Sequence, residues 1–335
     1  MSKQSTTVGR FLQCLAIGGP GAAGAAFASA QNWIDRDLIA YAAKAAISAI
    51  DTDDYPAALQ PVADAFLGAM RAHSISLRLI ERLRRVPLLT RVYVSASTGQ
   101  AIEVSEGQPI PVLSGDWSAT TLAPRKFAGI SVQTLELVRS ANAVASAAIG
   151  DDLARAVAEA ENTAFASPDV AGSVLDGAPS IASTGTTDEA ISADLRDLFG
   201  MVRGDGTGAL ALVMHEQTAA HIHFSDPSKF PLIGPQGGSV AGTPVLISNE
   251  AVRLAGSPTE RAICLVDASQ IFWADRGRVE LSTTREAALQ LDTEPTAGAT
   301  NVVSMLQTDS VATKALRESS WYARAGASAF LRVPY

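Results

Sequence analysis

The residues best suited to chemistry are three histidines that lie close together in the sequence. His215, His221 and His223 accompany Glu216 in the stretch MHEQTAAHIHF. A zinc protease of the HExxH type places two histidines one helical turn apart, with a glutamate base between them. His221 and His223 are two positions apart and share a face only on a strand, whereas the surrounding pattern predicts a helix. A metal-dependent enzyme using His221 and His223 is therefore an alternative that the spacing disfavours.

Two glycine-rich segments approach known catalytic motifs without completing them. Residues 237–241, GGSVA, lack the final glycine of the GxSxG motif, and no predicted strand leads into the serine. Residues 204–208, GDGTG, are not followed by the Lys-Ser/Thr pair of a phosphate-binding loop. The sequence thus contains no complete catalytic constellation, and we predict neither a cofactor nor an enzymatic activity.

Composition narrows the classes of function further. The chain has 335 residues, of which 47% are hydrophobic but only 6% aromatic, and its formal net charge is -8. This length exceeds that of most single-core domains, so two domains or one elongated subunit are expected. The negative charge disfavours a general nucleic-acid binder or a protein of anionic membranes. The two cysteines, Cys14 and Cys264, provide no disulfide framework, and no apolar run reaches the roughly 18 to 20 residues of a membrane span.

The strongest structural signal is a long helix over residues 140–166. Alanines give it high helix propensity, and Ser167-Pro168 ends it because a proline ring disfavours a helical residue before it. Its predicted buried face carries apolar residues three or four positions apart: Ile149, Leu153, Val157, Ala160 and Ala164. On the opposite face, Arg155 can pair with an acidic residue one turn away. Gly150 leaves open whether the helix is split in two. We interpret this helix as a rod against which a sheet packs.

Residues 92–126 have the second informative pattern. Residues 92–97 and 101–105 are predicted strands around a tight turn, residues 118–122 are a further short strand, and the EGQPIP stretch at 106–111 is rigid and extended. The segment has few large apolar residues for a core of its own, and it is too long for an ordinary structureless loop. An isolated hairpin is marginally stable in water at best. We therefore expect a neighbouring subunit to provide the surface on which this segment lies.

The remaining segments predict a mixed α+β chain. Residues 1–30 are small and lack a clear period, which predicts an extended or flexible arm. Helices are predicted over residues 32–50 and 59–70. The predicted elements after residue 188 are helices at 188–199 and 216–224, strands at 209–214, 243–247 and 262–266, and short strands at 271–273 and 279–283 that flank a turn at 275–277. Alternation over residues 327–333 predicts a half-buried final strand.

Charge is segregated along the first part of the chain. Residues 32–64 are mainly acidic, whereas residues 71–91 hold six arginines: Arg71, Arg78, Arg82, Arg84, Arg85 and Arg91. Three interpretations remain open, namely two solvated faces, contacts between the two regions within or between subunits, and contact with enclosed nucleic acid.

The order of these parts resembles that of the major capsid proteins of tailed double-stranded-DNA bacteriophages, which share the Hong Kong 97 fold. The likeness covers residues 77–335 and rests on order and pattern more than on any one signature. EGQPIP followed by LAPRK is similar to the end of that family's extended loop, and residues 140–166 resemble its spine helix. Residues 209–224 resemble part of its axial domain. Residues 303–333 resemble its C-terminal strands.

The resemblance implies an α+β subunit with a Hong Kong 97-like fold in four parts. The parts are an N-terminal arm with helices at residues 1–91, an extended loop hairpin at 92–126, a peripheral domain with the spine helix at 127–187 and 279–317, and an axial sheet-and-helix domain at 188–278 and 318–335.

The resemblance also implies a function. Such a subunit self-assembles into pentamers and hexamers that form the icosahedral head of a bacteriophage virion, after assembly in the host bacterial cytoplasm. The partners implied are copies of itself, a separate scaffolding protein, a portal and, in some members, a decoration protein. Double-stranded DNA is enclosed without sequence-specific contact, and no membrane is involved. The closest alternative is an encapsulin, a bacterial cargo compartment with the same fold.

Several residues are expected at contacts between subunits. They are Arg78, Arg82, Arg85, Glu103, Glu106, Asp116, Trp117, Arg125, Lys126, Asp292 and Glu294. By the resemblance, Asp292 and Glu294 would lie near a threefold axis, where three copies gather carboxylates that require arginines or a cation. Some family members crosslink covalently through a lysine of the extended loop. Here that loop has only Lys126, at its base, so we expect no crosslink, and we also expect no large N-terminal segment to be cleaved.

Overall fold

The computed structural model describes residues 3–46, 57–97, 103–104, 116–140, 143–202, 209–254, 260–292 and 301–335. Most of the predicted strand at 101–105 and the glycine-rich segment at 204–208 lie outside the described residues. The chain divides into two compact units.

Helices contribute to both units. The α-helices in the described residues are α1 (Lys3–Gly18), α2 (Ala22–Ala30), α3 (Arg36–Ala45), α4 (Gln60–Met70), α5 (Ile75–Leu79), α6 (Leu135–Ser140), α7 (Ala143–Ala166), α8 (Asp188–Met201) and α9 (Glu216–Ser225). Short 3-10 turns occupy Ala57–Leu59 and Ala268–Gln270. Pro61 lies in the first turn of α4, where its missing N–H has no partner to lose.

The strands form two larger sheets and two hairpin-like pairs. They are β1 (Arg84–Arg85), β2 (Arg91–Ser97), β3 (Asp116–Thr121), β4 (Arg125–Thr134), β5 (Ser180–Ala182), β6 (Leu210–Met214), β7 (Ile233–Gly234), β8 (Gly237–Val240), β9 (Thr243–Ile247), β10 (Arg261–Asp267), β11 (Ile271–Thr284), β12 (Ala288–Leu289), β13 (Val303–Ser304), β14 (Ser310–Ala323) and β15 (Ser328–Val333). One sheet has the order β1-β11-β14-β4, and the pairs are β2-β3 and β12-β13.

The predicted long helix is present as α7, which has 24 residues. Gly150 does not split it. A Cβ atom at Gly150 would lie 2.6 Å from the carbonyl oxygen of Ser5 and 3.1 Å from the backbone nitrogen of Gly9, so glycine is required because α1 lies directly against α7. The predicted i,i+4 pairing of Arg155 is made with Asp151, at 3.4 Å.

The N-terminal segment corrects one prediction, because residues 3–18 and 22–30 are helices rather than an extended arm. In α1, Val8, Phe11, Leu12 and Leu15 are all buried. Their positions have the i, i+3, i+4, i+7 spacing of a helix face, a period that the surrounding glycines and alanines obscure. The first unit comprises Met1–Arg78, Lys126–Glu161 and Gly277–Glu318, and these helices belong to its core.

The buried face of α7 also differs from the prediction in its second half. Leu153 and Val157 are buried as expected, but Ala160 is exposed and Glu161 is fully buried. The Glu161 carboxylate accepts a hydrogen bond from the Arg317 guanidinium of β14 at 3.0 Å, and the two side chains are 0% and 1% exposed. The core of the first unit therefore contains an ion pair that apolar periodicity could not indicate.

The second unit comprises Leu79–Arg125, Asn162–Arg276 and Ser319–Tyr335. Its seven-stranded sheet has the order β5-β15-β10-β6-β9-β8-β7. Strand β10 pairs antiparallel with β6 and β15, whereas β6 pairs parallel with β9. Helices α8 and α9 pack on the sheet, where Leu195, Leu198 and Ile222 share one core with Leu212 and Ile263.

Two strand predictions near the C-terminus are wrong. Asp275-Arg276-Gly277 does not form a turn, because β11 runs through it as one strand of 14 residues, with Gly277 at a φ of 62°. The final strand β15 is not half-buried, since every residue except Arg332 is buried. Strands β10 and β5 pair with its two edges, and Ala329 and Leu331 pack on one face in the core that includes Leu195 of α8. Ser328 is buried as well, and its hydroxyl donates a hydrogen bond to the Val174 carbonyl oxygen. Among the described residues, no helix combines the length and apolar character that a bilayer span requires.

Candidate assembly interface

The segment predicted to need a neighbouring surface is built around a two-stranded ribbon, β2 and β3. The strands pair antiparallel, with Val92 opposite Thr120 and Val94 opposite Ser118. The inner face of the ribbon is anchored by Val92, Val94 and Leu122, which are buried in a cluster with Ala274. This cluster holds the base of the ribbon on the second unit through apolar contacts that an isolated ribbon would lack.

The outer face of the ribbon carries two exposed aromatic side chains. Tyr93 is 61% exposed and Trp117 is 66% exposed. Trp117 lies opposite Ser95, two positions along from Ala119, the partner of Tyr93, so the two rings are on the same face. The Arg91 guanidinium lies over the Tyr93 ring, 5.4 Å from its centroid. Exposed tryptophan and tyrosine beside arginine are the residue types enriched at protein interfaces.

The predicted contact arginines of the second unit are at its surface. Arg82 and Arg85 are exposed. Arg82 donates a long hydrogen bond of 3.4 Å to the carbonyl oxygen of Leu210, and the neighbouring Arg84 lies over the Phe272 ring at 5.7 Å. Arg78, in the first unit, is also exposed. These positions suit contacts with another molecule, and the role itself stays a prediction.

Arg125 and Lys126 both have partners within their own chain. Arg125 stacks on Trp321 with its guanidinium 4.7 Å from the ring centroid, in the second unit. Trp321 in turn stacks on Trp273 at 5.7 Å, and its indole N–H donates to the Gly172 carbonyl. Arg125 fills the space beside Gly172 and so covers the stacked pair of tryptophan rings. Lys126 is 67% exposed and lies 3.7 Å from Glu318 in the first unit.

The predicted acidic contact residues are only partly described. Glu103 is exposed, and Asp292 is exposed just beyond β12. Asp116 begins β3, where it pairs with Ser97 at the far end of the ribbon. Glu106 and Glu294 lie outside the described residues, so the predicted gathering of carboxylates by Asp292 and Glu294 remains a prediction.

The histidine group makes ordinary structural contacts. His215 is the N-cap of α9, and its Nδ1 atom accepts a hydrogen bond from the Gln217 backbone N–H at 3.0 Å. Burial, together with the nearby Arg261, lowers the pKa of His215, which keeps this nitrogen available as an acceptor. His221 stacks on Tyr335 at 4.1 Å. Across the described part of the chain, no three metal-ligating side chains lie close enough together to hold an ion.

The two cysteines are also structural. Cys14 is buried in the first unit, where its thiol lies 2.9 Å from the Gly24 carbonyl, and burial raises its pKa to about 11. Cys264 lies within β10, and burial raises its pKa as well. Thiols so far from ionisation are poor nucleophiles at neutral pH.

Several exposed apolar residues were missed by the sequence analysis. Phe224, at the end of α9, is 74% exposed, and Leu232, beside β7, is 67% exposed. In the first unit, Leu291 and Leu306 near the β12-β13 pair are 58% and 74% exposed. Apolar residues at element ends carry no periodic signal, so only the structure identifies them as surface. Exposed apolar groups of this kind often mark association sites.

The sequence matches one described family over most of its length. Residues 58–319 match the phage capsid family. A capsid polyprotein of Pseudomonas phage PAJU2 is 34% identical over 321 residues, which cover 86% of this chain and 47% of the relative. The chain thus spans about half the length of that curated relative.

Solved structures share the fold at low sequence identity. A structure titled as the capsid of an empty GTA particle, computed with C5 symmetry, is 17% identical, covers 79% of this chain and 90% of that chain, and superimposes with a TM-score of 0.52. A structure from Gordonia phage Cozz is 13% identical, covers 76% and 85% of the two chains, and has a TM-score of 0.50. At these identities the likeness concerns the fold alone.

Proposed function

The chain belongs to the phage capsid family as a structural subunit of a phage head, and we propose that its copies close into an icosahedral shell of pentamers and hexamers around double-stranded DNA. The observation that carries this proposal is the β2-β3 ribbon. Its inner face is anchored on its own chain, whereas Trp117 and Tyr93 on its outer face have most of their surface in solvent. Such a ribbon gains stability when a neighbouring copy covers it.

Symmetry makes weak contacts sufficient. In a closed shell every copy presents the same patches to its neighbours, so a modest contact is repeated around each axis. We propose that the ribbon lies across a neighbouring subunit. Exposed Arg78, Arg82 and Arg85 then meet acidic residues of another copy, for which Glu103 and Glu106 are our candidates.

The peripheral and axial roles of the two units follow from the same proposal. The seven-stranded unit would take the axial position, near the five- and sixfold centres. The unit that contains α7 would take the peripheral position. Asp292, exposed beyond β12, would then lie near a threefold axis together with Glu294. Three copies would require arginines or a bound cation to offset these carboxylates.

The burial of α1 supports retention of the N-terminal helices in the mature shell. Phe11 and Leu12 are 1% and 2% exposed, so cleavage that removed α1 would open the core of the first unit. We therefore propose that these helices stay in the mature shell and that a separate scaffolding protein assists assembly. A mass spectrum of mature shells that lacks most of the first 70 residues would refute this part of the proposal.

We also propose further partners for the subunit and no covalent crosslinking between its copies. A portal would occupy one vertex, some shells of this kind carry a decoration protein, and assembly would take place in the host bacterial cytoplasm. Lys126 is the only lysine of residues 92–126 and already lies beside Glu318, so we propose no covalent crosslink between subunits. A ladder of multimers on a denaturing gel would contradict this.

The experiment that tests the function is electron microscopy of the expressed protein, with and without its scaffolding protein. We expect closed shells of uniform diameter whose mature form contains DNA. The encapsulin and metal-enzyme alternatives are not supported by the family or by the relatives. Shells that contain a cargo enzyme and no DNA would nevertheless favour an encapsulin. Stoichiometric zinc in the pure protein would favour a metal-dependent enzyme. A compact monomer whose ribbon resists proteolysis at all concentrations would refute assembly.

A further inference from the structure

An apolar stripe on α3 faces away from the core of the first unit. Ile34, just before the helix, is 94% exposed, Leu38 is 36% exposed and Tyr41 is 64% exposed. Leu38 and Tyr41 are three positions apart and so lie on one face of α3, whereas Ile39 and Ala43 on the opposite face are buried. A helix that is apolar on two faces is typically covered on both. The outer face of α3 therefore needs a partner of its own.

The charges beside the stripe indicate the direction of that partner. Asp37 lies in the first turn of α3 and Lys44 in the last turn. They are seven residues apart and so lie on the same flank of the stripe. If a second copy of α3 lies antiparallel on the first, each Asp37 comes close to Lys44 of the other copy, and the two helix dipoles oppose each other favourably. In a parallel twofold arrangement each charge would lie level with its own copy on the opposite side of the stripe, so no pair of opposite charges would form.

We propose that α3 forms a twofold contact between two copies of this chain, with the Leu38 and Tyr41 side chains of the two antiparallel helices interdigitated. A twofold contact requires a surface that is complementary to itself, and this pattern of one acid, an apolar stripe and one base meets that requirement. The inference rests on the proposed function, because the shell is what brings two copies together.

The contact is small, and its size determines how it must be measured. A few side chains on each copy bury only a few hundred Å², well below the roughly 1,200 Å² of a stable pairwise interface. Two isolated copies therefore associate weakly through α3. The contact becomes effective once other contacts in the shell hold the copies side by side. The strength of the α3 contact is therefore measured through the critical subunit concentration for shell assembly.

The test is a charge exchange at Asp37 and Lys44. We expect Asp37→Lys and Lys44→Asp each to raise the critical concentration roughly three- to tenfold, because two weak surface attractions become repulsions at every contact. The double variant Asp37→Lys/Lys44→Asp should restore the wild-type value, since opposite charges meet again. Asp197→Lys is the matched control. Asp197 is exposed beside Arg196 at 3.2 Å, as Asp37 is beside Arg36 at 3.6 Å, and this change should have no effect.

Three results of the assembly assay would overturn the α3 contact. The first is a double variant as impaired as the single variants. The second is single variants that assemble like the wild type. The third is an effect that appears only when the scaffolding protein is co-expressed, which would identify that protein as the partner. In addition, hydroxyl-radical labelling should modify Tyr41 in the free subunit and not in the shell, and protection already in the free subunit would show that the chain covers its own stripe. Wild-type shells that form normally while α3 changes have no effect would refute only this contact, whereas absence of shells would refute the proposed function.

Discussion

Replacing Trp117 by alanine tests whether a neighbouring copy covers the outer face of the ribbon. Trp117 is 66% exposed in the subunit, which corresponds to roughly 165 Å² of the roughly 250 Å² of a large aromatic side chain. If a neighbour covers half of this surface, about 80 Å², the loss is about 2 kcal/mol at roughly 25 cal/mol per Å². That amounts to roughly a thirtyfold weaker association at each contact. We therefore expect Trp117→Ala to raise the critical concentration for shell assembly by at least this order.

The control is a residue on the inner face of the same ribbon. Leu122 is 1% exposed, so Leu122→Ala should lower the free energy of unfolding of the unassembled subunit by about 2 to 5 kcal/mol. Trp117→Ala should leave that free energy unchanged, because it removes few contacts within the chain. Urea denaturation measures the free energy of unfolding, and sedimentation of assembled shells measures the critical concentration for assembly. If Trp117→Ala assembles at the wild-type concentration while Leu122→Ala behaves as expected, the outer face is not an interface and the reasoning fails.

Three further predictions concern the stability of the subunit. Gly150→Ala should destabilise the folded subunit by about 1 to 3 kcal/mol, because the added Cβ would press on α1. Gly200→Ala adds a Cβ to a helix where the space around it is open, so it should stabilise the subunit by up to about 1 kcal/mol. Thermal unfolding measures both changes. Arg317→Met should lower the free energy of unfolding by about 3 to 5 kcal/mol, because it leaves an unpaired buried charge on Glu161. The double variant Arg317→Met/Glu161→Leu should recover most of this loss in chemical denaturation, and a single variant as stable as the wild type would contradict the prediction. The folded pKa of His215 lies below its ordinary value of 6.5, so the contribution of His215 to folding stability is present above pH 6.5 and declines as the pH falls towards the folded pKa. His215→Asn keeps a capping oxygen but cannot be protonated, so it should flatten the acid side of the profile of stability against pH. An unchanged profile would exclude His215 as the source of the acid-side decline.

Local patterns predicted the long helix and the central strands well. The α7 helix is indicated by alanine content and by Ser167-Pro168 at its end, both of which act over a few residues. The strands β9 and β10 are near-continuous apolar runs, a pattern that central strands share because both of their faces are covered. In both cases the cause of the structure lies within the segment itself.

The sequence could not indicate features that depend on residues far away in the chain. Glu161 is buried because Arg317, 156 positions away, supplies its counter-charge. Gly150 is required because α1 returns to lie on α7, not because the helix ends there. Arg125 is held over Trp321, a residue of the distant strand β14. Each case combines two distant segments, and neither segment alone carries the signal.

The distribution of exposed apolar groups has a consequence for how such a shell assembles. The second unit exposes Trp117 on the ribbon and Phe224 at the end of α9, and the first unit exposes Leu306 near β13 and Tyr41 on α3. Each of these side chains is a small apolar patch that a neighbouring copy can cover. Each patch is too small to hold two copies together by itself, since stable pairs bury roughly 1,200 Å² or more. A subunit with several weak patches detaches readily while it has one neighbour and becomes firmly held only when several neighbours engage it. A misplaced copy engages fewer patches and is lost, so closure of a regular shell favours many small contacts over one strong one.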